Sequence, residues 1–72
     1  MKIWKFYTNK SNYGSYDGFI ITASTREEAI DYIKEKYKNS LATNWRNFFC
    51  KYIGETDVYK EITVLMESYY EG

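Results

Sequence analysis

The chain holds one thiol, Cys50, and no histidine. A Ser-His-Asp or Cys-His nucleophile set therefore lacks its base, and a Cys/His zinc site lacks its ligands. A single cysteine also leaves no partner for a disulfide within the chain. Glu27, Glu28 and Asp31 are close enough in sequence for paired-carboxylate chemistry. The first two, however, follow Ser24 and Thr25 at the spacing of a helix capping box, which accounts for them without a substrate. Cys50 has no activating base beside it and reads as a small apolar residue. No catalytic residue, metal ligand or cofactor is expected, and the chain reads as non-enzymatic.

What remains is binding chemistry, and aromatic residues dominate it. They make up 21% of the chain, with nine Tyr, four Phe and two Trp. Aromatic side chains bury large areas and so help a small core suffice, and they also concentrate binding energy at interfaces. A chain of 72 residues cannot hide fifteen of them completely, so part of this set is expected on the surface. Three groups stand out. Tyr13, Tyr16 and Asp17 lie in the glycine-bearing stretch SNYGSYDG, which has the composition of an adaptable contact loop. Gly14 and Gly18 within it do not have the spacing of a dinucleotide fingerprint. Trp45 and Arg46, near Lys51 and Tyr52, offer a ring to stack on a base and a cation for a phosphate. Glu61, Glu67 and Glu71, with Tyr69 and Tyr70, form an acidic, aromatic last segment. Each group has a plain structural reading beside the functional one: a hairpin connection, a ring packed on the helix end, and a solvated strand that resists aggregation.

These residues need elements to position them. Lys2 to Thr8 alternates, with Trp4, Phe6 and Thr8 on one side and Ile3, Lys5 and Tyr7 on the other, which predicts a strand. Asn9 to Gly18 has turn chemistry, and Phe19 to Ala23 is a β-branched run that predicts a second strand. The two are close enough to form an antiparallel hairpin. A helix then starts at a capping box, Thr25 with Glu28 or Ser24 with Glu27. Glu27 and Glu28 suit the positive end of its dipole and the lysines of its last turn suit the negative end. Ala29, Ile30, Ile33 and Tyr37 form its apolar stripe, and Asn39-Ser40 ends it. Residues 41–54 fit either a second helix ending at Gly54 or a loop carrying Trp45 followed by a strand from about Phe48 to Glu55; the strand is preferred. Val58 to Tyr70 alternates as the last strand, with Ile62, Val64 and Met66 on one face and Glu61, Thr63, Leu65 and Glu67 on the other. The expected architecture is a single α+β domain: a two-layer β-β-α-β-β arrangement whose antiparallel four-stranded sheet carries one helix on one face. The other face stays open and sticky.

Net charge is zero, from ten basic and ten acidic residues, but it is polarised along the chain. Residues 1–53 carry +4 and residues 54–72 carry −4. No apolar run approaches the roughly 20 residues that span a bilayer, and the first ten residues lack the apolar core of a signal peptide. A cytoplasmic protein with no membrane partner is expected.

Several short stretches share their order with a known group. Met1-Lys2-Ile3-Trp4-Lys5 opens a first strand, Tyr16-Asp17 precedes the second, and Ala23-Ser24-Thr25-Arg26-Glu27-Glu28-Ala29 leads into the helix. Lys51-Tyr52-Ile53-Gly54-Glu55 follows, and a last apolar strand closes near Gly72. In this the chain resembles very short proteins encoded by bacteriophages and prophages. The resemblance covers most of the chain, although residues 38–47 match none of its motifs, and the group has no settled activity to carry over. It implies a viral origin, and it supports a strand over residues 48–55. Its size class includes inhibitors of host machinery, among them anti-CRISPR and other anti-defence proteins.

The leading expectation is a binding protein that blocks a host protein or complex. Contacts would come from Tyr13, Tyr16, Asp17, Tyr69 and Tyr70, with Glu61, Glu67 and Glu71 as an acidic face. One alternative is a nucleic-acid-binding module working through Trp45, Arg46 and the lysine-rich helix end. Another is an oligomer, a homodimer for example, that sequesters a small ligand such as a nucleotide at an aromatic interface.

Overall fold

The computed structural model describes residues 1–10 and 14–70, the last of them by its backbone alone. Its elements are β1 (Lys2–Tyr7), β2 (Ser15–Ala23), α1 (Arg26–Lys36), β3 (Phe49–Glu55) and β4 (Thr63–Tyr70), with a 3-10 turn over Trp45–Asn47 ahead of β3. The strands form one antiparallel sheet in the order β3-β1-β2-β4, and the architecture is α+β.

The hairpin expected at the start of the chain is present: β1 runs against β2 from Lys2 opposite Ala23 to Tyr7 opposite Gly18. Alternation then sorts the side chains. Phe6 and Thr8 are buried with Trp4 half-buried beside them, whereas Lys5 and Tyr7 on the other face are exposed. Thr25 caps the helix, its hydroxyl accepting the Glu28 N–H at 3.2 Å. This selects Thr25 over Ser24. The return reach of Glu28 goes to the Thr25 hydroxyl, at 3.5 Å, and not to its backbone. Ala29, Ile33 and Tyr37 from the helix side meet Phe6, Phe19, Ile21 and Ala23 of the sheet to form the core. Trp4, Ile30, Trp45, Phe48 and Val64 pack around it, half-buried. The preferred reading of residues 41–54 also stands: Trp45 lies in the turn and β3 begins at Phe49, where a second helix was the alternative.

Two expectations for β4 are corrected. The strand begins at Thr63, not Val58, and its alternation is broken. Val64 lies opposite Ile21 and Met66 opposite Ile20, so Leu65 is an extra residue on the β4 side. Such a bulge moves all later side chains to the other face. Val64 therefore joins the core side, while Met66 points away from the helix and is 64% exposed. Glu67 falls opposite Phe19, on the helix side. Just before the bulge, Thr22 pins the chain. Its buried hydroxyl donates to the Glu61 carbonyl at 3.1 Å and accepts the Thr63 N–H at 3.0 Å. A second irregularity lies in β3, where Tyr52 is opposite Trp4 but Gly54 is opposite Ile3, leaving Ile53 extra. Gly54 beside it has a φ of +156°, a backbone state that side chains disfavour.

Candidate functional site

The helix covers one face of the sheet. On the other face, β1 and β3 bring together two pairs that are far apart in sequence. Tyr7 lies opposite Phe49, their ring centroids 5.4 Å apart and tilted by 33°. Lys5 lies opposite Lys51 two residues along each strand, on the same face. The Lys5 ammonium sits 5.2 Å from the centre of the Tyr7 ring, an attraction between cation and ring face. Among the described residues neither lysine has a carboxylate within ion-pair distance. Ile3 and Ile20, both half-buried, and exposed Met66 continue the surface. Where Gly18 has no side chain, a shallow cleft of about 370 Å³ opens between Tyr7, Ile20, Met66 and Ser68.

Of the residues that the sequence pointed to, this surface includes only Lys51, named there as a neighbour of Trp45 and Arg46. The signal was half present, because alternation in β1 already set Lys5 and Tyr7 away from the core. That β3 would be the strand beside β1 is a non-local fact that no local pattern carries.

The singled-out residues are distributed as follows. Tyr13 and Glu71 lie outside the described residues, as does the side chain of Tyr70. Tyr16 is half-buried, and its ring is engaged by Phe19 at 5.9 Å and by Tyr37 and Tyr69 at 4.8 Å each. Its backbone is also clamped, donating to the Ser40 carbonyl and accepting from the Ala42 N–H. Asp17 has no opposite residue on β4, since Tyr16 pairs with Tyr69 and Gly18 with Ser68, and its carbonyl accepts the Thr8 N–H. Tyr69 keeps 48% of its surface exposed. Trp45 is half-buried, stacked on Phe48 at 5.0 Å and tilted against Phe6 at 5.1 Å, while Arg46 next to it is exposed.

The acidic set does not assemble as alternation predicted. Glu61 lies outside β4, and the bulge at Leu65 separates its neighbours from Glu67. Glu67 instead accepts a hydrogen bond from the Tyr37 hydroxyl. Burial, this bond and the carboxylate's negative charge all disfavour the phenolate, and together they raise the Tyr37 pKa well above its ordinary value. Lys36 lies 5.5 Å from the centre of the same ring.

Among the described residues no three His, Cys, Asp or Glu side chains converge on a point that would hold a metal ion, and no helix is long and apolar enough to cross a membrane. No protein-family model, curated protein or solved structure matches the chain.

Proposed function

We propose that this is a non-enzymatic binding protein that occupies a host protein through the uncovered face of its sheet. One observation carries the reading: Lys5 and Lys51 are held opposite each other beside the exposed Tyr7–Phe49 pair. Like charges directly across a strand pair are destabilising, and apolar rings in water forgo the burial that would stabilise the fold. The fold needs neither, because its core lies on the other face. A partner that offers apolar side chains ringed by carboxylates would relieve both costs at once. Aromatic anchors of this kind supply most of the energy of a protein interface. The resemblance to short phage proteins supports an inhibitor of a host factor, such as a defence complex, acting in the bacterial cytoplasm.

The test compares capture of host proteins by the native chain and by the double variant Tyr7→Ser/Phe49→Ser. A host protein retained by the first and lost by the second is expected. A Glu35→Gln control, on the helix that covers the other face, should retain it. If no host protein depends on Tyr7 and Phe49 while circular dichroism shows both variants folded, the sheet face is not the working surface.

A further inference from the structure

A second candidate site lies on the helix side, where α1 gives way to the 3-10 turn. Lys34 and Lys38, one helical turn apart in sequence, line a cleft of about 480 Å³ together with Asn39, Thr43, Asn44 and Trp45. Every ionisable side chain in this lining is a cation, and among the described residues neither lysine is held in an ion pair. The lining also includes an aromatic ring held in place, because Trp45 stacks on Phe48 and leans on Phe6. The intervening chain is fixed as well. Ser40 and Ala42 are hydrogen-bonded to the backbone of Tyr16, and the Thr43 hydroxyl accepts from the Asn47 amide at 2.8 Å. By contrast, the side-chain amides of Asn39 and Asn44 and the indole N–H of Trp45 have no protein partner among the described residues.

From this arrangement we infer that the cleft binds a phosphate-bearing nucleotide, free or at the end of a single strand. Lys34 and Lys38 hold the phosphate, the Trp45 ring supports the base, and Asn39 and Asn44 supply donors and acceptors for base edges. The chemistry is that of single-strand recognition, in which cations follow the phosphates and aromatic rings take the bases. The helix ends here with its carbonyl pole, which repels an anion. Within the lining, the attraction for an anion comes from the two ammonium groups. This site is separate from the sheet face and does not depend on the reading given for it.

The indole N–H resonances of the two tryptophans give a direct readout. Trp4 donates its N–H to the Ala23 carbonyl at 3.2 Å and serves as an internal reference. On titration with adenosine monophosphate, cytidine monophosphate and a 5′-phosphorylated tetranucleotide, the Trp45 resonance should shift saturably while that of Trp4 stays in place. Tighter binding of the tetranucleotide would assign the site to strand ends, and tighter binding of a mononucleotide to free nucleotides. Lys34→Ala/Lys38→Ala should weaken the affinity at least tenfold, whereas Lys10→Ala/Lys60→Ala, an equal loss of charge outside this lining, should leave it unchanged. Two results overturn the inference: no saturable shift of Trp45 with any of the three probes, or an equal shift with inorganic phosphate alone.

Discussion

Replacing Tyr37 with Phe separates two contributions that the structure joins in one side chain. The ring fills the core beside Phe19 and Tyr16, and the residue is only 6% exposed. Phe keeps that ring and removes only the hydroxyl that donates to Glu67. A hydrogen bond to a charged group contributes about 1.5–3 kcal/mol when both groups are shielded. Glu67 is solvent-exposed and regains water once the bond is gone, so near neutral pH the variant should be less stable by about 1 kcal/mol. The pH dependence is sharper. The Tyr37 pKa is raised in the folded state, above the ordinary tyrosine value of 10.0. Below pH 10 both states hold the proton, and the stabilisation is fully present. Above it the unfolded chain loses the proton while the folded one keeps it, so stability falls as pH rises, by about 1.4 kcal/mol per pH unit. The Phe variant lacks this contribution. Its deficit of about 1 kcal/mol should shrink above pH 10, vanish near about pH 11 and reverse beyond. Urea unfolding followed by circular dichroism at pH 7, 9, 10 and 11 measures the difference. A deficit that stays constant across this range would refute the raised pKa and the role given to Glu67.

Two further substitutions test the devices that set the fold. Thr22→Val is nearly isosteric but leaves the Thr63 N–H and the Glu61 carbonyl without the hydroxyl that now serves both. A loss of about 1–3 kcal/mol in unfolding free energy is expected, and Thr22→Ser should recover most of it; an unchanged denaturation midpoint for the Val variant would show that Thr22 does not pin the start of β4. Thr25→Ala removes the acceptor for the Glu28 N–H and should cost about 1 kcal/mol. Hydrogen exchange should then speed up in the first turn of α1 and leave β1 protected, and uniform loss of protection would point to a different role.

Much of this protein follows from short-range pattern. Alternation over Lys2 to Thr8 separates Phe6 from Lys5 and Tyr7, because period two is a property of any extended chain. The Thr25–Glu28 spacing and the Ala29, Ile33, Tyr37 stripe define the helix and its buried side, for they reflect the 3.6-residue turn alone. With no histidine and one thiol, a Ser-His-Asp or Cys-His set and a Cys/His zinc site lack their members by composition. Tertiary structure decided the rest. Neither edge strand is paired with its neighbour in sequence: β3 lies beside β1 and β4 beside β2. That choice depends on which strand edges remain open once the hairpin and helix are placed, and it alone brings Phe49 to Tyr7 and Lys51 to Lys5. The bulge at Leu65 was equally hidden, since a residue becomes extra only in relation to its partner strand. It carried Glu67 out of the acidic stripe that alternation predicts and placed it against the hydroxyl of Tyr37.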